Sequence, residues 1–421
     1  MLDIRKLREN PEAVIARLSD RNAAAAAAAT AVLETDKRWR EELLKVEALK
    51  ADKNRLAKEV GARKAKKENA DDLLAQSKEV AAAIDACEKG CKALEEEQQS
   101  QLLFIPNPPH PSVPVGSSAE ENPVVHTWGE KWNYSFVPKT HIELCDASGL
   151  VDFEGARKIS GSGFAVFKGQ GARLVRALIS FLLDRHTSLN GYTEVWPPVL
   201  IAPHSMQGTG QLPKFEEDLY GMGEGAERLY LAPTAEVPVT NLHRDEILKS
   251  EQLPICYAAY TPCFRKEAGS SGAQTRGLIR MHQFDKVELV KIVRPETSYD
   301  ELEKLRRNAE EILEVLGLHY RTVLLCTGDM GFGAAKCYDL EVWAPGEGRY
   351  LEVSSCSNFE DFQARRMAVR YKTDDGKNVF CHTLNGSGTA LPRLIIALLE
   401  TYQQEDGTIA WPEVLKPYLG L

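Results

Sequence analysis

Two neighbouring stretches carry residue types suited to phosphate and base recognition. Thr261-Pro262-Cys263-Phe264-Arg265-Lys266-Glu267-Ala268-Gly269 and Thr275-Arg276-Gly277-Leu278-Ile279-Arg280-Met281-His282-Gln283-Phe284 read as strand, loop and returning strand. Side chains alternate along a strand, so Arg265 and Glu267 are expected on one face of the first, and Arg280, His282 and Phe284 on one face of the second. Guanidinium groups clamp phosphates bidentately, a ring stacks on a base, and a carboxylate accepts from a base amine or holds a cation. Together these are the parts of an ATP site. Taken singly, each has an ordinary reading: Arg265 with Glu267 as a surface pair, Phe284 as core, and Ser387, set between glycines, as a turn. His282 reads as a neighbouring structural histidine and Cys356 as a buried thiol.

The elements that would position these residues follow from composition and periodicity. The chain has 421 residues, 43% of them hydrophobic, enough for one large core and an appended piece. Apolar runs such as Leu394 to Leu399 are far too short to cross a bilayer. The opening Met1-Leu2-Asp3-Ile4-Arg5-Lys6 mixes charges with no apolar stretch behind it, so no leader is expected and the cytoplasm is the expected address. Nine cysteines, scattered without a zinc-ligand array, read as reduced thiols, and no zinc is expected. The net charge of −9 argues weakly against nucleic-acid binding, but a whole-chain charge hides local asymmetry.

That asymmetry lies near the N-terminus. Trp39, Leu43, Val46, Leu49, Lys53, Leu56 and Val60 recur by threes and fours, as do Leu73, Ser77, Val80, Ile84, Cys87, Cys91, Leu94 and Gln98. With Gly61 to Asp71 as a short polar turn, the two runs predict an antiparallel coiled-coil arm with helices of roughly 40–45 Å. Its tip gathers Lys53, Arg55, Lys58, Arg63 and Lys64 among other basic residues. A solvated face is the ordinary reading of such a run; an extended lever also suits the backbone of an RNA. Prolines between Phe104 and Ser118 predict a stiff linker, dividing the chain into residues 1–103, 104–118 and 119–421. Beyond it come a helix over Ala172 to His186, a proline-interrupted strand over Tyr192 to Leu200, and strands at Leu229 to Ala232, Gln283 to Val290, Tyr320 to Cys326 and Cys337 to Val342. Neither G-x-G-x-x-G nor G-x-x-x-x-G-K occurs, so a doubly wound nucleotide fold has no support.

The chain resembles the class II aminoacyl-tRNA synthetases, and within them the seryl-tRNA synthetase family, over essentially its whole length. Besides the arm and the Phe264-to-Phe284 stretch, the resemblance is carried by Gly208-Thr209-Gly210-Gln211-Leu212-Pro213-Lys214-Phe215 and Pro233-Thr234-Ala235-Glu236-Val237-Pro238. Cys326-Thr327-Gly328-Asp329-Met330-Gly331, Glu352-Val353-Ser354-Ser355-Cys356-Ser357-Asn358 and Leu384-Asn385-Gly386-Ser387-Gly388 extend it. Several independent motifs in order are far more specific than one short match.

The resemblance implies an α+β protein: an antiparallel helical arm, then a catalytic domain on an antiparallel sheet flanked by helices. It implies activation of L-serine with ATP and transfer of the seryl group to the 3′ end of tRNA(Ser), and by extension tRNA(Sec), in a homodimer whose arm serves a tRNA entering the other subunit's site. Arg265, Glu267 and Arg393 match catalytic positions, and Lys266, Arg280, Phe284, Glu352, Val353, Ser354 and Ser355 complete the ATP set. Glu352 and Ser355 match the ligands of a divalent cation, Mg2+ with Mn2+ as the alternative. Thr234, Ala235, Glu236, Arg265, Glu288, Asn385 and Ser387 match the serine pocket, and the helix before Tyr192 with the following strand matches the dimerisation motif. Two places depart from the family pattern: Lys266 replaces a smaller polar residue, and Pro392 precedes Arg393. A relative that loads an amino acid onto a carrier protein would lack the arm, and a dead core kept only for RNA binding would lack Arg265, Glu352 or Arg393; this chain has them all.

Overall fold

A computed structural model describes residues 1–267 and 276–421, so the Ala268-to-Thr275 part of the motif above lies outside the described residues. The chain forms two compact units, Leu2–Pro106 and Asn107–Leu421.

In the first unit two short helices, Ile4–Glu9 and Pro11–Arg21, precede the long pair Ala23–Ala65 and Asp71–Leu103. Asn22 caps the first long helix by accepting the Ala25 N–H at 2.8 Å. The seven alanines of Ala23 to Ala29 then propagate it as strong helix formers. The helix therefore runs 43 residues, roughly 65 Å at 1.5 Å per residue. That is longer than the periodicity predicted, because alanines extend a helix without marking a seam. Gly61 is helical, and the turn narrows to the residues between Ala65 and Asp71. Val46, Leu56, Leu73 and Ile84 are buried along the seam, whereas Lys53, which shares their spacing, is exposed. At the base Asp36 is fully buried, and its carboxylate accepts from Arg8 Nε at 3.0 Å, Arg40 Nε at 2.9 Å and Gln98 Nε2 at 3.1 Å.

The second unit is built on an eight-stranded sheet. From one edge its strands are Val124–Trp128, Tyr320–Leu324, Lys336–Ala344, Arg349–Asn358, His382–Ala390, Gln283–Val293, Ile255–Phe264 and Thr193–Glu194. All neighbours are antiparallel except the last pair. Alternation explains its two faces. Val287 and Leu289 join the core formed with Leu174, Leu178 and Phe181 of the helix Gln170–Ser188 and Leu302, Leu305 and Ile312 of the helix Ser298–Val315. Phe284, Lys286 and Glu288 face a cavity on the other side. The helix Leu391–Tyr402 carries Pro392 in its first turn, where a missing N–H costs nothing.

Three expectations change. The proline-rich segment read as a stiff linker is bonded to its own unit from Asn107 onward: Asn107 Nδ2 donates to Gly333 O and Phe359 O, and His110 N–H to Ala335 O at 2.8 Å. The segment is packed because each lost proline donor leaves its carbonyls and neighbours free to pair with the unit beneath. Between Tyr192 and Leu200 only Thr193–Glu194 and, in a separate sheet, Leu200–Ile201 are strands, since Pro197 and Pro198 cannot donate to a ladder. Finally, the strand that carries Cys263 ends at Phe264, and its antiparallel partner begins at Gln283. No helix among the described residues is long and apolar enough to cross a membrane.

Candidate active site

Three alternate residues of the strand Gln283–Val293, namely Phe284, Lys286 and Glu288, face a cavity of about 630 Å³. Phe284 stands toward one end, and Lys286 and Glu288 continue inward. Asn385 and Ser387 join from the adjacent strand, where Glu288 pairs with Ser387. Glu352, Val353 and Ser355 come from the strand beyond, and Thr234 and Glu236 from the turn opening the helix Glu236–Thr240. Arg265, Glu267, Arg280 and Arg393 complete the wall.

The inner end is a closed polar network. Lys286 Nζ donates to Thr234 Oγ1 at 2.8 Å and is ion-paired with Glu288. Glu288 also accepts from Asn385 Nδ2 at 3.0 Å and Thr234 Oγ1 at 3.4 Å. Glu236 accepts from Gln363 Nε2 at 2.7 Å, and Gln363 is oriented by Thr383 Oγ1 at 2.7 Å. Burial, then the charge of Glu288, pushes the Glu236 carboxyl up to about 7, while Gln363, Lys286 and Arg265 oppose the shift. Nearer the mouth, Arg265 Nε donates to Pro233 O at 3.3 Å and its guanidinium lies 5.2 Å from the Phe284 ring centre. Arg280 Nη1 donates to Glu267 Oε2 at 2.7 Å; Arg393 donates to Glu352 O at 2.8 Å and to Ile279 O at 3.1 Å. Behind Ser355, the buried Asp339 carboxyl is pushed well up by burial and by Glu352.

Most of the residues singled out by sequence therefore meet around one cavity, but the strand-face argument for them needs correction. Arg265 and Glu267 follow the end of their strand, and Glu267 adopts φ +50°. Arg280 and His282 precede theirs, so period-two alternation does not govern them. His282 does not line the cavity: its ring lies 5.3 Å from Phe164 and its Nδ1 3.1 Å from Arg265 O. The Lys266 side chain is exposed and also outside the lining; its N–H donates to Asp218 O. Ser354 points to the opposite face, donating to Ser387 O at 2.6 Å, and Ala235 is a fully buried cap residue. Cys356 is buried, its thiol pushed up to about 12 by desolvation.

Sequence reading missed Lys286, Gln363 and Asp339. Lys286 had a local signal: it lies midway between Phe284 and Glu288 at strand period. Gln363 and Asp339 had none, since each reaches the site from a distant element. In the first unit, Lys53, Lys58 and Lys64 are exposed, Arg55 pairs with Asp52 and Glu59, and Arg63 with Asp72 at 2.8 Å.

An antiparallel sheet carrying arginines, carboxylates and a ring around such a cavity defines a class II synthetase core, and residues 215–402 match the tRNA synthetase class II core domain (G, H, P, S and T). Residues 1–109 match the seryl-tRNA synthetase N-terminal domain. The serine–tRNA ligase of Akkermansia muciniphila is 54% identical over 100% of this chain and 98% of its own length. That of Geobacter sulfurreducens is 53% identical over 100% and 99%. Among solved structures, a seryl-tRNA synthetase from Pyrococcus horikoshii complexed with ATP superposes with a TM-score of 0.96 at 39% identity, covering 100% of this chain and 98% of that one. The chain belongs to the seryl-tRNA synthetase family.

Proposed function

We propose that the chain is a serine–tRNA ligase: its cavity joins L-serine to ATP as seryl-adenylate, and the seryl group then passes to the 3′ end of tRNA(Ser). The observation that carries this reading is the polar inner end, where Glu288, Thr234, Asn385 and Lys286 form a set that meets a small hydroxyl-bearing side chain. Buried polar groups built for a hydroxyl are left unpaired by alanine, which gives discrimination of roughly 10⁴–10⁵ at best. Glu236 and Thr234 receive the substrate ammonium, and Arg265 its carboxylate and the α-phosphate. Phe284 stacks the adenine, Glu267 accepts from its amine, and Arg280 and Arg393 hold the distal phosphates. The carboxylate is already an anion, so in-line attack on the α-phosphorus needs positioning and charge stabilisation, not a general base. Pyrophosphate leaves. A ribose hydroxyl of the tRNA then attacks the activated carbonyl and AMP is released.

Glu352 and Ser355 offer hard oxygen donors, with the buried Asp339 carboxyl behind Ser355, a donor set suited to Mg2+ or Mn2+. Such a cation, when bound, neutralises charge on the triphosphate. Lys53, Arg55, Lys58, Arg63 and Lys64 on the long hairpin provide the contact with tRNA phosphates, and tRNA(Sec) is a further acceptor. The reaction belongs in the cytoplasm, in keeping with nine free cysteines. The working unit is a homodimer, a reading supported by the exposed Trp196 and Leu189 beside the edge strand Thr193–Glu194.

The test is ATP–pyrophosphate exchange with each amino acid in turn. Serine alone should stimulate it, and stimulation by a different amino acid would refute the assigned pocket.

A further inference from the structure

Behind the cavity, a buried chain of hydrogen bonds links the helix Leu391–Tyr402 to the segment bearing Arg280. Glu400, fully buried on the helix Leu391–Tyr402, accepts the main-chain N–H of His141 at 2.8 Å through Oε1, and those of Gly346 and Glu347 at 2.8 and 3.0 Å through Oε2. The same Oε1 lies 3.3 Å from His141 Nδ1, and Glu347 Oε1 is equally close. On its other side the fully buried His141 ring accepts the N–H of Leu278 with Nε2 at 3.2 Å. An acceptor nitrogen carries no proton, so Nε2 is bare and Nδ1 holds the hydrogen that points at the two carboxylates.

His141, Glu347 and Glu400 could by distance surround an ion. Three main-chain N–H groups already occupy the Glu400 oxygens, however, and Leu278 occupies Nε2, so the cluster is a hydrogen-bond hub and not a metal cage.

The hub acts on the site because of where its far end lies. Leu278 and Ile279 immediately precede Arg280. The helix that carries Glu400 also carries Arg393, whose Nε donates to Ile279 O at 3.1 Å. Seven residues, close to two turns, separate Arg393 from Glu400, which puts both on one face. One helix thus grips adjacent residues from two directions, the Ile279 carbonyl directly and the Leu278 N–H through His141. Gly277 permits the close approach: its φ is +64°, and a Cβ there would lie 2.2 Å from His141 Nε2.

We propose that His141 is a positioning residue of the ATP site, whose Nε2, oriented by Glu400, fixes the Leu278 N–H and thereby the placement of Arg280 against the distal phosphates. The inference rests on the reading of Arg280 given above. It assigns His141 a task that its distance from the cavity conceals.

Two substitutions separate positioning from packing. A glutamine oxygen reaches the place of Nε2 and can accept from Leu278, whereas an asparagine reaches only the place of Nδ1. Exchange is measured on the full chain at varied ATP and serine, with thermal midpoints recorded alongside. His141→Asn should raise KM for ATP roughly tenfold, the order expected for one lost buried hydrogen bond, with KM for serine within about twofold. His141→Gln should recover most of that loss. Equal KM values for ATP in the two variants, or a parallel rise in both substrates' KM, would overturn the proposal in favour of a structural role. If His141→Asn does not fold, Gly277→Ala displaces the intact ring from the other side; it should raise KM for ATP selectively, and an unchanged KM rejects the clamp. Arg280→Ala separates the two levels: no effect on KM for ATP would remove the ATP-site reading and this inference together. A rise there with wild-type behaviour in His141→Asn would remove this inference alone.

Discussion

Glu236 and Lys286 show how single residues set the chemistry of the inner pocket. With its carboxyl raised to about 7, Glu236 is largely protonated at pH 6 and ionised at pH 8. The substrate ammonium prefers the ionised form, so KM for serine should fall as pH rises through about 7 and level off above it. Initial-rate exchange between pH 6 and 8 reads this, and Glu236→Gln should flatten the profile. The same shift has the opposite sign for stability. The folded chain holds this proton more tightly than the unfolded one, so its contribution is present below the ordinary carboxylate range and is lost as pH rises toward about 7. Lys286 holds Thr234 and Glu288 together. Replacing it by Met should lower the serine-over-alanine ratio of exchange at least tenfold, roughly the share one polar contact contributes; an unchanged ratio would show that the ammonium is only a buried counter-ion.

Among the elements, the long helical hairpin carries a buried charge, Asp36, at its base. Asp36 is gripped by Arg8, Arg40 and Gln98; burial pushes its carboxyl up, but those partners outweigh it and the net shift is downward. Asp36→Ala leaves Gln98 without its partner, and with Arg8 and Arg40 partly exposed the cost should be about 2 kcal/mol, below that of a fully buried pair. Urea unfolding of the full chain followed by helical circular dichroism measures it. Periodicity made this hairpin legible, because a seam every three to four residues is a local signal. Its true length was hidden by an alanine tract that carries no seam. The sheet was harder to read. The segments Glu352 to Asn358 and Leu384 to Gly388 stood out by their resemblance to family motifs, yet their neighbours in the sheet come from distant parts of the chain, and no local pattern encodes strand order.

For the whole molecule, the division into Leu2–Pro106 and Asn107–Leu421 lets the task proposed for each unit be tested apart. Deleting Ala31 to Gln101 should spare exchange and reduce tRNA charging by orders of magnitude; charging at the full rate would refute the role given to the hairpin. Trp196, 72% exposed near the edge strand, should lie in the subunit contact, so Trp196→Glu should shift the sedimentation of the dimer toward monomer. An unshifted dimer would place that contact elsewhere.

The sequence by itself determined the family, the α+β class, the helical hairpin and most of the polar and charged candidates that meet at the cavity, because each is written in short motifs or a local period. Only the tertiary structure decided that Gln363 orients Glu236 from 127 residues away, that Lys286 closes the inner end of the cavity, that His282 turns aside, and that Glu400 reaches Leu278 through His141, 259 residues before it. Those contacts follow from which strands and helices become neighbours. That choice minimises buried unpaired polar groups over the whole fold, a condition no stretch of sequence meets alone.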